Sequence, residues 1–145
     1  MTTPQIPSAA LAELLELTAR MLHSRGYAEG LFPAQWVALR YFQKARPDLC
    51  TASELARFQG LANGPVSRTV RTLVQKGLLR KAPVQPKGRA ELLQLSEAGQ
   101  ALMAQDPSLP LQEALDSIEA RDRESFARSL EAILRRMSKD TGSAG

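Results

Sequence analysis

Cysteine is almost missing: one, Cys50, in 145 residues. A single thiol closes no internal disulfide. With His23 the only histidine, there is no Cys/His cluster at ligand spacing, so no metal is expected. No stretch approaches the roughly 18 apolar residues of a membrane span. The opening "MTTPQIPSAA" has neither a basic n-region nor an apolar h-region. These absences point to the cytoplasm and away from membranes. Catalytic constellations are missing as well. There is no Gly-rich phosphate loop and no nucleophile with a nearby histidine. The neighbouring acids Asp122 and Glu124 lie at a charged helix start, which reads as a solvated face. Neither an enzyme nor a cofactor is expected. Hydrophobic residues still make up 43%, enough for a packed core.

Acid is scarce in one place. Residues 40–90 hold eleven Lys and Arg (Arg40, Lys44, Arg46, Arg57, Arg68, Arg71, Lys76, Arg80, Lys81, Lys87, Arg89) but only Asp48 and Glu54, a local charge of +9. The rest of the chain carries −5, for a total of +4. A basic middle between acidic ends suggests a polyanion-binding centre on a scaffold with another task.

From Ser8 to about Arg25, Leu11, Leu14, Leu15, Met21 and Leu22 recur at helical spacing, with Ser8 the expected N-cap. Gly26 and Gly30 bracket a break. Pro33 then suits the first position of a second helix, "PAQWVALRYFQKA", with Trp36, Val37, Leu39, the stem of Arg40 and Tyr41 inward. Thr51 and Glu54 make a T-x-x-E capping box ahead of "ASELARFQ", where Leu55 and Phe58 should face the core and Gly60 should end the helix. The link "GLANG" leads to a helix over residues 65–76, closed by Gly77. Runs 78–82 and 90–95 flank the turn-rich "PVQPKG" and predict a β-hairpin with a long basic tip. Ser96 should cap "EAGQALMAQ", with breaks at Pro107 and Pro110. A final helical region carries Leu111, Leu115, Ile118, Phe126, Leu130, Ile133, Leu134 and Met137, followed by a tail, "SKDTGSAG", expected to be disordered.

On a helical wheel, Val66, Val70, Leu73 and Val74 share one face of the 65–76 helix. Arg68, Arg71, Thr72 and Gln75 lie roughly opposite, with Ser67 and Thr69 near the start. An acid-free face of this composition suits a DNA major groove. Arg pairs bidentately with guanine, Gln with adenine, and Thr offers a methyl or a hydroxyl. A short capped helix, a tight turn, this second helix and a basic hairpin form a winged helix-turn-helix. Arg68, Arg71, Thr72 and Gln75 are therefore expected at base edges, Ser67 and Thr69 on phosphates, Arg57, Lys81 and Lys87 on the backbone, and Arg89 in the minor groove. The competing reading is a winged-helix protein-interaction module that does not read DNA. The outer apolar stripes, Leu11, Leu14, Leu15 and Leu22 with Leu130, Ile133, Leu134 and Met137, could pack within one chain or between two.

The stretches "FPAQWVALRYF", "TASELARFQGLANGPVSRTVRTLVQKGLLRK" and "KGRAELLQLSEAG" resemble the multiple-antibiotic-resistance regulator (MarR) family, most clearly over residues 32–99. The resemblance implies a mainly α fold with a small β-hairpin wing. It implies an N-terminal dimerisation helix (1–31), a winged helix-turn-helix (32–96), C-terminal dimerisation helices (97–138) and a disordered tail (139–145). It also implies a homodimeric transcriptional regulator, a repressor, binding double-stranded DNA at a palindromic operator and released by a small aromatic or phenolic effector. Trp36, Arg40 and Tyr41 would line the effector pocket, although by composition Trp36 reads as core. Where the family commonly carries an acid two residues before the wing arginine, this chain has Lys87, which implies an added phosphate contact. Cys50, just before a helix, could have a lowered thiol pKa. It does not match the position of the family's redox cysteines, near the first helix.

Overall fold

A computed structural model of the chain describes residues 5–88 and 90–142. It forms two compact units, Met1–Pro107 and Ser108–Gly145. The first opens with α1 (Ser8–Arg25), which buries none of its residues. Pro7, not Ser8, is at the cap position: its carbonyl accepts from the Ala10 and Leu11 N–H groups at 3.0 and 3.2 Å, and Ser8 is already helical.

α2 (Pro33–Lys44) begins at its proline, as expected. Its third residue, Gln35, is buried and turns its side-chain oxygen back to accept from the Phe32 N–H at 2.8 Å. Trp36 is fully buried, and its indole N–H donates to the Ala28 carbonyl at 3.2 Å, so this large ring leaves no polar atom unpaired. Arg40 clasps Asp106 through Nε and Nη2 at 2.7–3.0 Å, tying α2 to the far end of the unit.

α3 (Ala52–Gln59) is capped by Thr51, whose hydroxyl accepts from the Glu54 N–H at 3.1 Å. Only half of the expected box forms. The Thr51 N–H donates to the Leu49 carbonyl, and the Glu54 carboxylate pairs with Arg57. Gly60 ends the helix at φ +66°, as a left-handed cap requires. Phe58 is not in the core. It is 73% exposed and lies over Tyr41, ring centroids 5.3 Å apart, because Leu55 and Ala56 already fill the inward side of this short helix.

α4 (Asn63–Gln75) starts two residues before Pro65, so the link is shorter than expected. Pro65 falls in the first turn, where its missing N–H has no helical partner to lose. Val66, Val70 and Leu73 are buried, but Val74, expected with them, is 39% exposed. Its position on the wheel turns it past the edge of the core. The hairpin pairs β1 (Leu79–Lys81) with β2 (Leu93–Leu95), with Leu79 opposite Leu95 and Lys81 opposite Leu93. These strands are shorter than the runs 78–82 and 90–95, and the tip is correspondingly longer. The Leu93 N–H donates to the Cys50 carbonyl at 2.9 Å, fastening the wing to the segment before α3. Leu79, Leu93 and Leu95 point inward and join Trp36, Leu39, Leu55 and Leu73 in one core.

Ser96 joins wing to helix. Its hydroxyl accepts from the Gly99 N–H, capping α5 (Glu97–Leu102), and donates to the Gly77 carbonyl at 2.6 Å. Its own N–H donates to the Leu78 carbonyl at 3.0 Å. A short 3-10 turn, Met103–Gln105, ends the unit before Asp106.

The second unit consists of α6 (Leu109–Asp116) and α7 (Ala120–Gly142). Pro110 begins α6 rather than breaking a helix, its ring being compatible with a first turn. α7 runs through Gly142, so residues 139–142, expected as disordered tail, are helical. Arg123 pairs with Asp116 at 3.5 Å and Arg128 with Glu124 at 3.0 Å.

Two glycines test this packing. A side chain at Gly99 would run into the Leu78 carbonyl, whereas one at Gly64, on α4, meets only the flexible end of Arg68 at 4.0 Å. Gly99→Ala should destabilise by ~1–3 kcal/mol. Gly64→Ala should stabilise by roughly 0.5–1 kcal/mol. Urea unfolding followed by Trp36 fluorescence checks both signs.

Candidate nucleic-acid interface

The buried stripe of α4 dictates which side chains turn outward. Arg68, Arg71 and Gln75 are exposed; Ser67, Thr69 and Thr72 are half-buried. Two adjacent outer rows result. Ser67, Arg71 and Val74 line a groove of about 420 Å³ facing Ala52 and Ser53 of α3 and Ala90, Glu91 and Leu93 of the wing. Arg68, Thr72 and Gln75 form the second row, outside that groove. Arg71 thus shares a groove with the base of the hairpin. The hydroxyls of Thr69 and Thr72 donate to the Pro65 and Arg68 carbonyls at 3.2 and 3.0 Å. Their methyl groups and lone pairs remain for a ligand.

The remaining cations differ in freedom. Arg57 is paired with Glu54 at 3.1 Å and Lys81 with Glu91 at 3.3 Å, both on the surface, where such pairs are weak and screened by salt. Lys87 is exposed in the turn that Gly88 completes at φ +68°. Arg89 lies outside the described residues.

Two features of the wing were not foreseen. Gln85 behaves like an extra strand residue. Its amide donates to the Ala82 and Leu92 carbonyls at 2.9 and 2.7 Å, and its oxygen accepts from the Leu92 N–H at 2.8 Å. It reinforces the base of the tip, where the Ala82 N–H also donates to the Leu92 carbonyl at 2.9 Å. Glu91 puts a carboxylate into the groove one residue beyond the acid-poor span. No sequence pattern marks Gln85. The signal for Glu91 was its position, just outside the boundary of the charge count.

Of the three residues expected around an effector, Trp36 belongs to the core. Arg40 and Tyr41 meet in an open hollow of about 410 Å³, lined also by Val37, Lys44, Ala45 and Phe58. The Tyr41 hydroxyl donates to the Leu49 carbonyl at 2.7 Å, and burial, followed by the nearby Cys50 and Glu54, raises its pKa. The Cys50 thiol is not acidified by the helix start. It is buried and aims at the Arg46 carbonyl at 3.4 Å; desolvation, then the Asp48 carboxylate, pushes its pKa up. His23 is exposed, edge-on to Tyr27. Among the described residues no group of three or more His, Cys, Asp or Glu could hold a metal ion.

The family model described as MarR family matches residues 29–90, the segment from the turn before α2 to the end of the wing tip. Over those residues the chain is similar to the MarR family. Its winged helix-turn-helix is mainly helical with a two-stranded wing, and solved structures share it across nearly the whole length. A MarR/EmrR family transcriptional regulator from Acinetobacter sp. ADP1 is similar, with TM-score 0.71 and 20% identity over 94% of this chain and 99% of that one. The S. aureus MepR–DNA complex matches with TM-score 0.70 and 16% identity over 93% and 99%. A Mycobacterium tuberculosis MarR family protein in complex with salicylic acid matches with TM-score 0.58 and 22% identity over 89% and 97%. No curated protein matches the sequence.

Gln85→Ala should speed exchange of the Leu92 amide hydrogen roughly five- to tenfold, the loss of about one net hydrogen bond, as read by NMR. The raised Cys50 pKa keeps the thiol protonated through neutral pH. Iodoacetamide should therefore alkylate it more slowly than a free cysteine at pH 7–8. The rate should climb only as pH rises past the ordinary cysteine range.

Proposed function

We propose that this chain is a MarR-like DNA-binding transcriptional regulator that acts as a homodimeric repressor on a palindromic operator. The observation that carries the proposal is the outer surface of α4. It exposes Arg68, Arg71 and Gln75 with no carboxylate on the helix, and sets Arg71 beside the wing. In this reading Arg68, Arg71, Thr72 and Gln75 meet base edges in the major groove. Ser67, Thr69, Arg57, Lys81 and Lys87 hold phosphates, and Arg89 reaches the minor groove. The MepR–DNA complex, similar in fold, supports this use of the domain.

Exposed apolar rows on both units support the dimer: Leu11, Leu14 and Leu15 on α1, and Phe126, Ile133, Leu134 and Met137 on α7. Apolar area of this kind is normally covered by a partner, here a second copy. The hollow beside Arg40, Tyr41, Lys44 and Phe58 suits a small aromatic or phenolic effector, with aromatic walls and a lysine at the rim. The M. tuberculosis protein bound to salicylic acid is in keeping with that class. Among the described residues no helix is long and apolar enough to cross a membrane. The reading places the protein in the cytoplasm with its DNA and assigns no catalytic step.

Arg68→Ala or Arg71→Ala should cost ~1–3 kcal/mol on a duplex selected by the wild type and less on random duplex. Fluorescence anisotropy measures both, and equal losses on the two would remove the base-reading role. Light scattering should give twice the monomer mass. A monomer would remove the palindrome.

A further inference from the structure

We infer that Glu91 determines specificity by keeping phosphate out of the groove between α4 and the wing. The inference rests on the DNA-binding reading above. Apart from Glu91, that groove is a good seat for a phosphate. Asn63 opens α4 there, at the helix end where backbone N–H groups lack helical partners. Ser53 lines it too, its hydroxyl 3.4 Å from that of Thr51. Arg71 lines it from the third turn of the same helix. These groups would together draw in the backbone of any duplex, whatever its sequence.

The Glu91 carboxylate stands on the opposite wall and is half-exposed, so it meets an incoming phosphate as a charge. Its pair with Lys81, at 3.3 Å between two exposed side chains, is too solvated to cancel it. Binding to random DNA is held almost wholly by phosphate contacts. Such binding is therefore hurt by an acid beside a phosphate seat. Binding at a preferred site is held in register by base edges and loses less. The acid also leaves the Arg71 guanidinium available for a base rather than a phosphate. This repulsive element weakens the wrong complexes more than the right one.

The test is Glu91→Gln in the full-length protein, titrated by anisotropy at several salt concentrations. The probes are a random duplex and a duplex enriched by the wild type from a random library. The variant should bind random duplex roughly three- to tenfold more tightly, with its salt slope steeper by about one. Its affinity for the enriched duplex should change by less than about twofold, so discrimination falls. Equal strengthening on both duplexes would mean that Glu91 merely masks Lys81. Weakening on both would mean that it positions Lys81 for DNA. Either outcome overturns the inference and leaves the DNA-binding reading intact. A wild-type protein that binds neither duplex overturns both. Thermal unfolding of the variant at the wild-type temperature confirms that the fold is unchanged.

Discussion

Everything the outer surface of α4 can do depends on its inner one. Val66, Val70 and Leu73 enter the core, where Leu73 is completely buried alongside Trp36, Leu39, Leu55 and Leu79. Burying side chains of this size stabilises by roughly 1.5–3 kcal/mol each. That is far more than any contact among the polar residues on the other side. The helix therefore cannot rotate about its axis without losing the core, and its two polar rows keep a fixed azimuth. The same stripe limits the row nearest the wing: Val74, one step past Leu73, is left at the groove edge rather than in the interior.

Beyond Leu79, Leu93 and Leu95, which the wing buries in the core, polar contacts hold it, and each uses a backbone group that would otherwise lack a partner. Cys50 lends its carbonyl to Leu93, Ser96 connects the Gly77 and Leu78 carbonyls to the cap of α5, and Gln85 closes the base of the tip with its side chain. Net hydrogen-bond contributions are modest, about 1 kcal/mol each. Their value here is geometric: they fix the height and tilt of a hairpin that pairs only three residues on each side. Ser96 and Gly99 stand in one short turn of sequence because the helix after the wing must start against the Leu78 backbone, where only a hydrogen fits at Cα.

The groove between α4 and the wing combines opposed charges, Arg71 from the helix and Glu91 from the hairpin. A surface meant only to hold a polyanion gains nothing from that acid. One meant to discriminate among polyanions can use it, because repulsion at a single seat separates ligands held by phosphates from ligands held by bases. Basicity alone, at +9 over residues 40–90, describes attraction and says nothing about choice.

The sequence alone determined the elements whose signals are local. The positions of α1, α2, α3 and α4, the glycine cap at Gly60, the serine cap at Ser96 and the hairpin all follow from periodicity, turn residues and short motifs, because those act within a few residues of themselves. The outward placement of Arg68, Arg71 and Gln75 also follows, since the apolar period of α4 leaves them no other side. Only the tertiary structure decided what depends on distant partners. Phe58 went outside because its neighbours had filled the inward face. Cys50 became a buried thiol with a raised pKa because α2 and the wing closed over it. Arg40 found Asp106, 66 residues away. Glu91 entered the groove because the register Lys81 opposite Leu93 carried it there. Register and burial are properties of two segments brought together, and neither segment records them by itself.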